Sequence, residues 1–484
     1  MPLPMEIQTI LDLVKKYNPK SDQDMIQLAF EFARDAHKGQ YRLNGDEYMQ
    51  HALGATYHLA KIKMDDATII AGLLHDVPDE TSVSLDEVRK QFGDEVCSLV
   101  EGVSRLGKLK YRGMERYAEN LRKMFVSIAH DIRIVILKFA DRLHNLETLD
   151  ILPRDKQLRI AHEVLEIYAP IAHRLGIGYI KERLEDCAFK YMYPDEYRTI
   201  TELAQPKLER KEQYLGRLKD LLHQIFKENG IAPIGMESRV KHFYSIYRKS
   251  IKKNTPDLEG IYDLVAMRVI VESIAECYTV LGVLHQYFKP LQGRFKDYIA
   301  QPRQNNYRSL HTTVFSEENE IVEFQIRTTP MDYEAKYGIA AHWNYDESNK
   351  SSQRITKNLD WLQEILSIQS STSYSHEEFL QTLNLDIFQN RIFVFTPKGD
   401  VINLPDGSTP VDFAYYIHSD IGRKCSGARI NDMLASLNTK LNSGDVVYIL
   451  TERNRKRPNP DWLSFIKTHM AKSRIKAQLR EEHL

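Results

Sequence analysis

The chain has 484 residues, 42% of them hydrophobic and 27% charged, a composition that describes folded globular protein of about three domains. Its net charge of −1 singles out no polyanionic partner for the chain as a whole, and four isolated cysteines, Cys97, Cys187, Cys277 and Cys425, exclude CxxC zinc ligation and argue against a disulfide framework. Apolar runs fall far short of the ~20 residues of a membrane span, and the first residues lack a basic segment followed by an apolar one. The expectation is a cytoplasmic protein that engages no membrane.

Residues 1–195 read as helix after helix. "DQDMIQLAFEFARDAHKG" has apolar residues three and four apart and stops at Gly39. "DDATIIAGLLHD" is apolar on nearly every face, which predicts a buried helix. It runs into "LLHDVPDE", where Pro78 disfavours helical geometry at Val77, so Asp79 and Glu80 are expected in a loop. "SLDE" at 84–87 has the capping-box form and opens the next helix. "DIRIVILKFADRLHNLETL" is a second buried helix carrying Asp141, Arg142, His144 and Asn145 inward, and Pro194 closes the region.

A His-Asp dipeptide carries little meaning alone, since His130-Asp131 repeats it. Together with His51 in "EYMQHALGA" and with Asp141, however, His75 and Asp76 complete a set of two His and two Asp from separate helices, which suits a transition metal such as Mn²⁺. The competing reading makes His51 a core histidine and pairs Asp141 with an arginine. The H…HD…D order is that of the HD-domain phosphohydrolases, whose metal polarises phosphoryl oxygens.

Residues 196–345 read as an α+β domain. A helix over 206–227 ends at Asn229-Gly230, after which "GIYDLVAMRVIV" and "ENEIVEFQIRT" take on strand character. Asp263 heads the first strand and Glu323 lies inside the second; paired carboxylates on neighbouring strands hold Mg²⁺ for nucleotide transfer. Cations surround them: Arg239, Lys241, Arg248 and Lys249 in "SRVKHFYSIYRKS", then Arg294, Lys296, Arg303, Arg308 and His311 in "GRFKDYIAQPRQNNYRSLHTT", with Tyr307 suited to stack on a base. A solvated basic loop is the competing reading; carboxylates and aromatics among the cations favour nucleotide phosphotransfer. Residues 346–388 read as a Ser-rich helical connector and 389–452 as a small β-grasp-sized unit. Residues 453–484 read as a basic tail, whose nine Lys or Arg against one acid, Asp461, in 453–480, with Trp462 and Phe465, suit RNA contact.

At this point the motifs "LLHDVPDET", "KFADRLHNLETL", "HRLGIGYIKERLEDCAFKY", "KHFYSIYRK", "GRFKDYI", "YRSLHTTVF", "EFQIRT" and "YGIAAHW" carry a resemblance. Across essentially the whole chain the sequence resembles the long RelA/SpoT homologues, bifunctional synthetase/hydrolases of the alarmone (p)ppGpp. "RIFVFTPKGDVINLPDGSTPVDFAYYIHSDIG" looks like the family's TGS domain. The resemblance implies an all-α HD hydrolase (1–195), an α+β nucleotidyltransferase-like synthetase (196–345) and a TGS domain (389–452). It implies that His51, His75, Asp76 and Asp141 bind Mn²⁺ for removal of the 3′-pyrophosphate, that Arg42 and Asn145 contact the alarmone, and that Asp79 and Glu80 handle the attacking water. In the synthetase it gives Mg²⁺ to Asp263 and Glu323, base assistance at the guanosine 3′-OH to Glu323, ATP to Arg239 and Lys241, guanine stacking to Tyr307 and the acceptor phosphates to His311. Lys249, Arg294, Lys296 and Arg303 complete the expected substrate contacts with ATP and GDP or GTP. Arg294-Phe295-Lys296-Asp297 matches the basic form of bifunctional members, and His418 corresponds to the TGS residue that meets the 3′ end of uncharged tRNA, with the ribosome as further partner.

The sequence departs from the family pattern at Asp79-Glu80, which reverses the usual order, at Leu43 and Asn44 for Lys and Ser, at Asn306 for Gly, Arg308 for Gln, and Arg423 for His. The helical, zinc-finger and ACT parts of full-length members do not follow the TGS region. Two other readings stand beside the bifunctional one: a synthetase whose HD domain is regulatory, and a non-catalytic sensor of tRNA or ribosomes. Intact Asp263, Glu323 and four metal ligands speak against the sensor.

Overall fold

The computed structural model describes residues 5–107, 123–255, 257–258, 261, 263–303, 305–316, 320–342, 391–442, 444–452, 455 and 457–480. They fall into two compact units, one on each side of the stretch 343–390; the expected connector 346–388 lies outside the described residues.

In the first unit the N-terminal half is helical, as expected. From Thr68 to Leu74 every residue of the helix Asp66–Leu74 is buried, as an all-round apolar sequence requires. It packs on Met49–Lys61, which in turn packs on Ile132–Glu147. Gly54 makes that last contact possible: a Cβ there would stand 1.9 Å from the His144 ring. Ser84 and Glu87 form the predicted reciprocal cap, Ser84 N donating to Glu87 Oε2 (2.7 Å) and Glu87 N to Ser84 Oγ (3.3 Å).

Two expectations are corrected. Val77–Glu80 is a helical turn, with Pro78 in its first turn. There the missing N–H has no partner to lose, so the ring favours the turn it was expected to break. Pro194 likewise opens a helix, Pro194–Glu228, which runs 35 residues through Pro206. Ala204 and Leu208 flank Pro206 and are buried, so packing on this face offsets the lost backbone bond. The helix ends at Asn229, and Gly230 takes φ 68°, as its C-terminal signal demands.

The second half of the unit is built on a sheet of order β1-β2-β6-β5-β3, with β4 also paired to β5. These strands are β1 Gly235–Val240, β2 Val265–Val271, β3 Lys289–Pro290, β4 Lys296–Asp297, β5 Leu310–Phe315 and β6 Ile321–Thr328. All of β2 is buried. Its parallel pairing with β6 sets Ala266 beside Glu323, and Asp263, expected to head this strand, lies in the turn two residues before it.

The second unit holds β7 Arg391–Phe395 paired with β8 Val401–Pro405, and β9 Cys425–Ile430 between β10 Met433–Ala435 and β11 Val447–Thr451. A parallel bridge from Phe395 to Val446 links the two ladders, and the helix Pro410–Ile417 packs on them. The basic stretch beyond β11 is folded into this unit. Trp462, Ile466, Ala471 and Ile475 are buried in one cluster with Val411, Ala414 and Tyr415. Trp462 is therefore a core residue, with Arg455 over its ring at 4.9 Å, and not a platform for bases.

Asp412 joins this stretch to the helix. It is 0% exposed and accepts from Thr409 N (2.9 Å), Thr409 Oγ1 (2.9 Å), Thr468 N (2.7 Å) and Thr468 Oγ1 (2.8 Å), with Lys467 N at 3.0 Å. Asp412→Ala strands these donors in a dry site, at a cost on the order of 3 kcal/mol or more. Calorimetry should show the unfolding transition of the second unit moved down by several degrees; an unchanged transition would contradict this account of the joint.

Candidate functional sites

The first site forms where three helices meet. His51, His75 and Asp141, all buried, bring one ligand atom each to within 4.8 Å of one another. Asp76 Oδ2 lies 3.4 Å from Nε2 of both His51 and His75, and Asp141 Oδ1 lies 3.5 Å from His51 Nε2. All four predicted ligands thus converge. Burial opposes the charge on Asp76, but His75 and His51 beside it hold its carboxyl below the usual range. Burial likewise opposes ionisation of Asp141, and Lys138 and His51 outweigh it.

The donor set fits a divalent cation. His75 Nδ1 lies 2.8 Å from the Gly72 carbonyl, so Nδ1 carries the hydrogen and Nε2 keeps its lone pair. That Nε2 is buried and makes no hydrogen bond, which suits a metal-ligating nitrogen. Tyr48 Oη donates to Asp76 Oδ2 at 2.9 Å, and Lys138 Nζ to Asp141 Oδ2 at 2.6 Å, orienting both carboxylates. Arg142, the alternative partner of Asp141, faces Glu163 at 4.0 Å.

Arg42 and Asn145 stand at the same site. Arg42 Nη2 donates to Asn145 Oδ1 (2.6 Å), Arg42 Nη1 lies 3.4 Å from His51 Nδ1, and Asn145 Nδ2 donates to Asp141 Oδ1. A turn closed by Arg42 N on the Asp46 carbonyl (2.8 Å) presents Arg42. The departures Leu43 and Asn44 sit at its tip, Leu43 81% exposed and Asn44 bonded to Asp46. Asp79 and Glu80 do not join the cluster. Asp79 Oδ1 accepts from Ser104 Oγ (2.8 Å), and Glu80 is exposed on the helical turn. Sequence reasoning missed Tyr48, Lys138 and the Nδ1 contact of His144 with His51 (2.9 Å); spacings of three from the ligands, 48 to 51, 138 to 141 and 141 to 144, were the available signal.

The second site is a cavity of about 370 Å³ on the sheet. Every residue to which the resemblance gives a synthetase role lines it, Asp263, Glu323, Arg239, Lys241, Lys249, Arg294, Lys296, Arg303, Tyr307 and His311, whereas Arg248 and Arg308 are not among its lining residues. Lys241 Nζ donates to Asp263 Oδ2 at 2.5 Å and Lys249 Nζ to the same oxygen, so the two lysines engage one of its two oxygens. Burial raises the Asp263 carboxyl, but these ammonium groups prevail and hold it low. Burial also opposes ionisation of Glu323, and the His311 Nδ1 at 3.2 Å outweighs it. Asn306 stands at φ 57°, the left-handed backbone that Asn tolerates in place of Gly, so this departure keeps the loop presenting Tyr307. Arg308 turns away to Glu334 (3.0 Å). Lys181 and Glu182, on the helix Gly178–Met192, also line the cavity, and Glu182 accepts from Arg239 at 2.5 Å. The acidic run of "KERLED" was the only sequence sign of it.

In the second unit His418 is exposed and caps the short helix Ser419–Arg423, its Nδ1 accepting from Asp420 N (3.1 Å). Arg423 bonds Asp420 within that helix.

Three stretches of the chain match known families. Residues 29–178 match the HD domain, 238–350 the region found in RelA / SpoT proteins, and 392–451 the TGS domain. The chain is 43% identical over 483 residues to a guanosine-3′,5′-bis(diphosphate) 3′-pyrophosphohydrolase of Aquifex aeolicus, covering 99% of this chain and 68% of that one. It is 42% identical over 475 residues to the bifunctional (p)ppGpp synthase/hydrolase SpoT of Escherichia coli (98% and 67% covered), and 42% identical over 473 residues to a GTP pyrophosphokinase of Myxococcus xanthus (97% and 62%). The chain belongs to the RelA/SpoT family. It spans about two thirds of the length of these curated relatives. Among the described residues no helix is long and apolar enough to cross a membrane.

Proposed function

We propose that the chain is a bifunctional alarmone enzyme. It transfers pyrophosphate from ATP to the 3′-OH of GDP or GTP at the sheet cavity, and hydrolyses (p)ppGpp to GDP or GTP and pyrophosphate at the helical site. The observation that carries this reading is the separation of two sets: His51, His75, Asp76 and Asp141 among helices, and Asp263, in the turn before β2, with Glu323 of β6 among cations in one cavity.

Mn²⁺ held by the first set would supply Lewis-acid polarisation of the 3′-pyrophosphate, and Mg²⁺ held by Asp263 and Glu323 would neutralise charge on ATP. In the hydrolase Arg42 and Asn145 bind the alarmone. In the synthetase Arg239, Lys241 and Lys249 bind ATP phosphates, Lys296 and Arg303 extend the cationic wall, Tyr307 stacks on guanine and Glu323 accepts the 3′-OH proton. The transferred pyrophosphoryl group leaves AMP behind. His418, exposed in the second unit, fits contact with the 3′ end of uncharged tRNA on a ribosome, in the cytoplasm.

One observation favours a second reading, a regulatory HD half: Asp79 is bonded to Ser104 and Glu80 is exposed. Purified protein supplied with ATP, GDP and Mg²⁺, and separately with ppGpp and Mn²⁺, separates the two. The bifunctional reading expects product in both reactions. Synthesis without hydrolysis hands the helical site to regulation, and neither activity sinks both.

A further inference from the structure

Alternation along β6 places Glu323, Gln325 and Arg327 on one face, and the antiparallel register sets His311 of β5 opposite Gln325, between the other two. Tyr307 lies four residues before His311. The five side chains close a ring. Arg327 Nη2 donates to Tyr307 Oη (2.9 Å) and to Gln325 Oε1 (2.9 Å). Tyr307 Oη lies 2.8 Å from His311 Nε2, and His311 Nδ1 lies 3.2 Å from Glu323 Oε1. Gln325 Nε2 donates to that same Glu323 oxygen at 3.0 Å.

The chemistry of the groups sets the direction of every bond. A guanidinium only donates, so the Tyr307 oxygen accepts from Arg327; because His311 Nδ1 faces a carboxylate that only accepts, the lone pair of a neutral ring falls on Nε2, which accepts the Tyr307 hydrogen. The neutral imidazole then carries its hydrogen on Nδ1 and gives it to the Glu323 carboxylate, which only accepts. On the other arm Arg327 claims the amide oxygen of Gln325, which turns the amide NH₂ to Glu323. Both arms end as donors on Oε1. The ring places no donor on Oε2, which leaves that oxygen for a hydroxyl that must lose its proton.

Arg327 is 1% exposed and lies behind the cavity, while Tyr307, His311, Glu323 and Gln325 line it. No solvent can replace its bonds there. We infer that Arg327 is the positioning residue of the synthetase site: through Tyr307 and Gln325 it sets the tautomer of His311 and aims the Glu323 carboxylate at the acceptor hydroxyl. The inference rests on the reading of this cavity as the site of pyrophosphate transfer, and it gives the Tyr307 hydroxyl a task separate from its ring.

Tyr307→Phe keeps the aromatic face and opens one arm by removing its bonds to Arg327 and His311; Arg327→Met breaks both arms but also leaves the buried Asp332, 3.7 Å from Arg327 Nη1, without that neighbour. Kinetics with ATP and GDP in the full chain should show kcat lowered about tenfold or more in each variant and KM for GDP within about threefold. The double variant should be no worse than the poorer single one, because the circuit is already open. Nitrogen NMR of histidine-labelled protein without substrate should find His311 protonated on Nδ1 in the wild type, and partitioned between tautomers in Tyr307→Phe. An Nε2-protonated wild type, an unchanged kcat in Tyr307→Phe, or losses that multiply in the double variant each overturn the inference. A wild type inactive with ATP and GDP fails the functional reading instead, and the tautomer still reports on the ring.

Discussion

Asp263→Ala should abolish pyrophosphate transfer and leave ppGpp hydrolysis within about twofold of wild type, since the two sites share no partner. The carboxylate has two tasks. It is half of the acidic pair that would hold the cation on ATP, and it is the common acceptor of Lys241 and Lys249. Removing it leaves two ammonium groups facing each other in a cavity already lined by Arg239, Arg294 and Arg303. Loss of about 4 kcal/mol of charge stabilisation corresponds to about 10³-fold in rate. Asp263 is only partly buried, with 18% of its side chain exposed, so the variant should fold. Chromatography of the nucleotides formed from ATP and GDP reads the outcome, and more than about a tenth of wild-type kcat would contradict this placement.

The mirror experiment removes Asp76. Asp76→Ala should lower Mn²⁺-dependent hydrolysis by on the order of 10²-fold or more, weaken Mn²⁺ binding by at least about tenfold, and spare synthesis. Asp76 is a better target than Asp141. Asp141 neutralises Lys138 in a site where both side chains are nine-tenths buried, and its loss would strand that ammonium at about 3–5 kcal/mol of stability. Tyr48 is the main bystander at Asp76, and its hydroxyl can turn to water. Calorimetric titration with Mn²⁺ reads the binding, and wild-type affinity in the variant would remove Asp76 from the ligand set.

Chemistry-bearing residues were legible where polar groups interrupt apolar patterns. Asp141 stands on a buried helix and His75 and Asp76 directly follow another, and a buried acid has to be paired or ligating. Asp263 and Glu323 were legible because β-branched strands announce which segments pair. What escaped were features decided by three-dimensional neighbours. Pro78 and Pro206 carry the same sequence signal as helix-ending prolines; position in the first turn and packing of Ala204 and Leu208 decide otherwise. The basic stretch hides its core residues because cations outnumber them, although Trp462 and Ile466, and again Ala471 and Ile475, stand four residues apart. Alternation puts Arg327 on the strand face of Glu323 and Gln325, and only the register of β5 against β6 shows which side chains it bonds there.

The central claim is that one chain carries two separable sites, and the direct measurement is both activities in both variants. Asp263→Ala and Asp76→Ala, each checked for wild-type folding by circular dichroism, are assayed for synthesis from ATP and GDP with Mg²⁺ and for hydrolysis of ppGpp with Mn²⁺. The account predicts opposite results: Asp263→Ala hydrolyses and does not synthesise, and Asp76→Ala synthesises and does not hydrolyse. Loss of both activities together in either folded variant would contradict it.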